Sequence, residues 1–154
     1  MLEKDPSAFD KVPFAWVKAC ENGHESVIQA FVDCCPKKFS DHCEDHNDTP
    51  LHHIKLRNLT RYEDFLKIQY MKDLINVKDS TGATPLHKAI ENDEIFLAEA
   101  LLKMDNIEYN IKNDDGKTAR GMLLELCKEP QPPLQQTKWV CFLSKSIVCN
   151  VQGY

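Results

Sequence analysis

The chain has 154 residues, of which 42 % are hydrophobic and 28 % charged; this excludes disordered and fibrous classes and supplies about one domain with a real core. A formal net charge of −5 with no block of Lys or Arg excludes the basic surface that nucleic-acid binders present. The opening MLEKDPSAFDKV is charged and has no apolar run, and no stretch approaches the ~18 apolar residues of a membrane helix, so the seven cysteines read as reduced thiols in the cytoplasm or at the cytoplasmic face of a membrane.

The first element begins at Phe14. FAWVKACENGHESVIQAFV predicts a short helix ending near ENGH, at Glu21 to His24, and a second helix that turns Val27, Ile28, Phe31 and Val32 inward. Trp16 and Cys20 fall on the core side of the first helix, Cys20 as a small buried hydrophobe. The next stretch, CCPKKFSDHCEDH, holds Cys34, Cys35, His42, Cys43 and His46. A structural zinc site needs four N or S ligands at workable spacing, and no second paired motif completes one. An exposed polar loop is the reading, with a metal-binding or thiol enzyme using this cluster as the alternative.

At Thr49 the chain reads TPLH, and at Thr84, 35 residues later, it reads TPLH again. In both copies the threonine is an expected N-cap, whose hydroxyl satisfies a first-turn amide, and Pro50 or Pro85 takes the first helical position, where its missing N–H costs nothing. Leu51 and Leu86 point inward, and His52 and His87 are expected to bond a neighbouring turn rather than act as catalytic bases. Thr118 in DDGKTARGML continues the register. Asn47, Gly82 and Gly116 each stand two residues before an anchor, where a tight turn needs positive φ, and Glu44, Asp79 and Asn113 stand five before. In the third unit Leu97/Ala98 and Leu101/Leu102 repeat the first unit's apolar pairs at an offset of 70. The second unit departs from the pattern: Asn58 takes the place of the inter-helix glycine, and LTRYEDFLKIQYMKDL after it fits no template.

A period of about 35 residues is the signature of a solenoid, in which stacked copies bury faces that no copy can bury alone. TPLHKAIENDEIFLAEALL and FAWVKACENGHESVIQAFV resemble the ankyrin repeat, whose usual form is close to TPLHxAAxxGHxxVVxxLL; the resemblance covers roughly residues 9 to 128. MLEKDPSAF, DCCPKKFSD and NIEYNIKNDDGKTARGMLLELC resemble the plant ankyrin proteins whose longer members carry a C-terminal PGG membrane domain. The expected fold is an all-α ankyrin-repeat helical solenoid of about three to four units. Residues 1–128 form the array, with units starting near 14, 49, 84 and 118, and 129–154 form a non-repeat tail. Pro130, Pro132 and Pro133 end the helical register. The apolar run 139–151, WVCFLSKSIVCNV, matches no repeat position and lies outside the solenoid; its alternative role is to cap the last helix.

No nucleophile, phosphate loop or carboxylate pair stands outside a structural slot, so the expectation is no enzyme and no cofactor. Asp114/Asp115 and the pair Asp45/Asp48 read as solvated turn tips rather than a calcium loop. The resemblance implies a protein–protein interaction module that serves as a scaffold or adaptor. Its partner, another protein and not a nucleic acid, is met by the turn tips and the first-helix face. By position the contacts are Asp45, His46 and Asp48; Ser80, Thr81 and Ala83; Asp114, Asp115 and Lys117; and Glu21, Asn22, Glu91 and Asn92. Most are acidic or polar, which favours a partner with a basic or mixed face. A soluble truncated form of a membrane-anchored plant ankyrin signalling protein is the alternative.

Overall fold

The structure, a computed structural model, describes residues 15–34 and 48–128. Phe14, Asp45, His46, the cysteines and histidines of 35–46, the turn residues Glu44 and Asn47, and the tail all lie outside the described residues. Eight helices are described: α1 Ala15–Glu21, α2 Glu25–Cys34, α3 Pro50–His53, α4 Leu59–Leu66, α5 Gln69–Leu74, α6 Pro85–Glu91, α7 Ile95–Leu102 and α8 Ala119–Lys128. Among the described residues the only strand-like pairing is one bridge between Lys112 and Thr118.

The caps set the starts of α3, α6 and α8. Thr49 and Thr84 are extended, with ψ of 160° and 165°, and each is followed by its proline. Thr118 takes a simpler form: its Oγ1 accepts the Gly121 amide at 3.0 Å. Helices α1, α3, α6 and α8 pack side by side in chain order as an inner layer, while α2 backs α1, α7 backs α6, and α4 packs on α7. Leu51 and Leu86 are fully buried between the layers, and Trp16 and Cys20 join the same core. The expected inward set of α2 is corrected at one position. Ile28, Phe31 and Val32 are buried, but Val27 is 42 % exposed, because those three residues already define one face of α2 and Val27 is turned away from it at about 100° per residue.

The second unit owes its irregularity to an early helix end. Helix α3 has four residues where α6 has seven. Beyond it Ile54 is extended, and the Lys55 amide bonds the Cys20 carbonyl at 3.0 Å, tying this strand-like stretch to the end of α1. Asn58 is not an inter-helix turn residue at positive φ; its side chain caps α4 by accepting the Arg61 amide at 3.1 Å. Tyr62, buried one turn into α4, holds the unwound stretch from behind: its hydroxyl accepts the Leu56 amide at 2.8 Å and donates to the Ile54 carbonyl at 3.3 Å. Burial pushes the Tyr62 hydroxyl up to about 12, so it stays a donor. Tyr62→Phe should therefore cost about 1–3 kcal/mol, the penalty for a backbone amide left without its partner, read as a lower urea midpoint with an unchanged slope.

Close approach also explains Gly23. Its φ is +65°, and a Cβ there would collide with the Lys55 carbonyl of the extended stretch. The matching position in the third unit is Asp93, which adopts φ of 57°. Asp is among the few non-glycine residues that tolerate this region.

Candidate interaction surface

The turn between the second and third units is built on Asp79. Its Oδ1 accepts the Thr81 amide at 2.8 Å, the Thr81 hydroxyl at 2.7 Å and the Ala83 amide at 2.9 Å, while its own amide bonds the Ala83 carbonyl at 2.8 Å. Burial opposes ionisation of this carboxyl, but the Thr81 and Ala83 donors more than offset it and hold Asp79 below its ordinary range. One unit later Asn113 does the same work uncharged, its Oδ1 accepting the Lys117 amide at 2.9 Å. The two turns are bonded tip to tip, since the Asp114 amide donates to the Thr81 carbonyl at 3.1 Å and Gly82, at φ +70°, leaves room for the Asp114 side chain.

The TPLH histidines lock each inner helix to the turn of the next unit. His52 Nδ1 lies 3.0 Å from the Thr49 amide and Nε2 lies 3.0 Å from the Ala83 carbonyl. His87 repeats this with Thr84 at 3.1 Å and the Lys117 carbonyl at 3.0 Å. Both rings serve structure, as their repeated slot implies.

Ion pairs run along the inner helices, Lys18–Glu21 at 2.8 Å on α1 and Lys88–Glu91 at 3.2 Å on α6, and His53 Nε2 lies 3.3 Å from the Asp48 carboxylate at α3. Lys88 also reaches Asp79 at 3.7 Å. The bond from Lys18 is the main cause that lowers the Glu21 carboxyl. Lys88 loses some charge stability to burial, but Glu91 and then Asp79 more than restore it and raise its ammonium.

The predicted contacts divide on this geometry. Ser80, Thr81, Asp114, Asp115 and Lys117 are exposed at the turn tips, and Asn22, Glu91 and Asn92 are exposed at the far ends of α1 and α6. Asp48 and Glu21 are half-buried and paired. Ala83 is 1 % exposed and drops out of the set, because its side chain faces the core while its backbone carries the Asp79 and His52 bonds. Lys18, His53 and Lys88, at a spacing of 35 residues, share one slot of the inner helices beside the predicted contacts Glu21, Asp48 and Glu91, a pairing the sequence reading did not include. The acidic character expected of the surface is thereby reduced on α1 and α6, where each glutamate has its own lysine. At the Asp114–Asp115 tip no described cation forms such a pair.

Burial, with a smaller contribution from Glu21, pushes the Cys20 thiol up to about 12, far from the thiolate a nucleophile needs. Among the described residues no group of His, Cys, Asp and Glu could hold a metal, and no helix is long and apolar enough to cross a membrane. A cleft of about 340 Å³ between α2 and α4 has Ile28, Leu56 and Phe65 in its lining and the Arg61–Glu25 ion pair, at 3.5 Å, across it, with no convergent acid and base.

Helical hairpins stacked in register and locked turn to helix define a repeat solenoid. The family of ankyrin repeats in three copies matches residues 16–115, and the chain belongs to it. A probable serine/threonine-protein kinase of Dictyostelium discoideum is 33 % identical over 79 residues, which is 51 % of this chain and 9 % of that protein. The match therefore spans less than a tenth of that relative and falls on the repeats. No solved structure gives a significant match. The ankyrin repeat is a non-catalytic protein–protein interaction fold, and the likeness to a kinase does not make this chain an enzyme.

Proposed function

We propose that this chain is a scaffold or adaptor module that grips a protein partner with its turn tips and the exposed sides of α1, α3 and α6. The observation that carries this is the pair of tips around Ser80–Thr81 and Asp114–Asp115. The Thr81 amide is bonded to Asp79, the Asp114 amide to the Thr81 carbonyl and the Lys117 amide to Asn113, which braces the two tips, while Ser80, Asp114 and Asp115 remain exposed. A rigid frame lowers the ordering cost of binding. The acids of the second tip, which form no ion pair among the described residues, favour a partner patch with basic character, mainly through faster encounter. The working unit is the array through residue 128, acting in the cytoplasm, with 129–154 outside the repeats.

Affinity capture from native extract, with the wild type and with an Asp114→Lys, Asp115→Lys double variant as baits, tests this reading. Both positions are exposed, so circular dichroism should stay unchanged. The expected result is a protein retained by the wild type at low salt, released as salt rises, and retained at least about tenfold less by the variant. Equal retention by both baits would remove the tips from the binding surface.

A further inference from the structure

We propose that Asn22–Gly23, at the end of α1, is a deamidation site that the fold keeps closed, and that its conversion loosens the junction between the first and second units. Of the asparagines in the chain, Asn22 alone is followed by glycine. A glycine leaves the next amide nitrogen uncrowded and the backbone free to rotate toward it. That nitrogen can attack the Asn22 Cγ: the N–Cγ bond forms, the Cγ–Nδ2 bond breaks, and Nδ2 leaves as ammonia with the amide proton. Water then opens the resulting succinimide at either carbonyl, giving aspartate or an isoaspartate whose backbone runs through the former side chain. One water is taken up and one ammonia released, with no oxidant or reductant.

The folded chain withholds both reacting groups. Asn22 is exposed, so water reaches it, but its Nδ2 donates to the Lys18 carbonyl at 2.8 Å, which draws the carboxamide back over α1. The Gly23 amide donates to the Cys20 carbonyl at 3.1 Å, and Gly23 is fixed at φ +65° against the Lys55 carbonyl. Cyclisation therefore waits on local opening of this turn. The third unit carries a built-in control. The amides of Asn92, Asp93 and Glu94 bond the Lys88, Ile90 and Ala89 carbonyls, as those of Asn22, Gly23 and His24 bond Lys18, Cys20 and Ala19. The turn is the same, but the residue after Asn92 is Asp93, whose side chain crowds the attacking nitrogen.

Either product undoes what holds the turn. A carboxylate cannot donate to the Lys18 carbonyl, and it adds a negative charge beside Glu21 at the C-terminal end of α1, where the helix dipole disfavours it. Isoaspartate also lengthens the backbone where the Cys20 carbonyl accepts both Gly23 and, at 3.0 Å, Lys55. The tie from the second unit to α1 thus loosens with the turn. Asn22 is among the exposed positions of the proposed binding surface, but this chemistry does not rest on that reading.

Peptide mass spectrometry on the full chain, held at mildly alkaline pH in buffer or in urea, tests the proposal by reading the exchange of ammonia for water at Asn22 and Asn92. In urea Asn22 should convert well ahead of Asn92, and folding should slow Asn22 by at least about tenfold. An Asn22 no faster than Asn92 in urea would overturn the site, and equal Asn22 rates in buffer and urea would overturn the guard. The isoaspartate form, made in urea, separated by ion exchange and refolded, should exchange its Lys55 amide hydrogen at least about tenfold faster than the parent chain. Unchanged exchange at Lys55 would show that conversion leaves the junction intact and would overturn that part of the proposal.

Discussion

Leu86→Ala should lower stability by about 2–5 kcal/mol, the range for a buried leucine that leaves a cavity. Leu86 is 0 % exposed on α6, with α3 on one side, α8 on the other and α7 behind. Neighbouring helices held by their own caps and histidine bonds cannot collapse far into the space. A domain of this size is stable by only about 5–15 kcal/mol, so the loss is a large share of the whole. Because repeats are stabilised by their neighbours, it should be felt beyond the third unit. Val27→Ala is the matched control. It removes an apolar side chain that is 42 % exposed, and surface changes of this kind stay within about 0.5 kcal/mol. Urea melts of the two variants decide the matter, and the reverse order would mean that the repeat register is misplaced.

That contrast marks how far the sequence could be read. The starts of α3, α6 and α8 were legible because capping is local chemistry: a threonine with its proline, or Thr118 with a free Gly121 amide, announces a helix within four residues. The positive φ of Gly82 and Gly116 was legible for the same reason. The shortened α3 was not. It ends where the Tyr62 hydroxyl and the Cys20 carbonyl offer Leu56 and Lys55 other partners, and both come from elsewhere in the chain. The second unit looked aberrant because Asn58 was compared with a glycine slot, when in fact it caps the next helix. Val27 was misplaced because it falls at the edge of the face that Ile28, Phe31 and Val32 define, about 100° from Ile28. In the candidate interaction surface, the exposure of Ser80, Thr81, Asp114 and Asp115 followed from turn chemistry. The pairing of Glu21 with Lys18 and of Glu91 with Lys88 required side-chain geometry. Ala83 looked like a tip residue by position, but the Asp79 and His52 bonds draw it inward.

His52→Ala should be the most damaging change to the polar framework and should leave a pH signature. In the native fold the Thr49 amide donates to His52 Nδ1 at 3.0 Å, and Nε2 faces the Ala83 carbonyl at 3.0 Å. A carbonyl can only accept, so the proton sits on Nε2 and the ring is neutral. Removing the ring strands the buried Thr49 amide at about 1–3 kcal/mol, and the cavity adds to that. The Ala83 carbonyl loses less, because it keeps the Asp79 amide at 2.8 Å. Protonating the ring has a related effect, since a second proton on Nδ1 would point at the Thr49 N–H. Burial is the main cause that lowers the His52 pKa below its ordinary value. The unfolded chain, with histidine near ~6.5, therefore takes up the proton first, and the His52 contribution is complete above that pH. It is lost progressively as pH falls from there through the lower folded value. The stability gap between wild type and His52→Ala should accordingly be widest at pH 7.5–8 and narrow below about pH 6.5, a difference that cancels the titration of every other group the two proteins share. A gap constant from pH 8 to pH 5 would show that the ring is not held neutral by its two bonds.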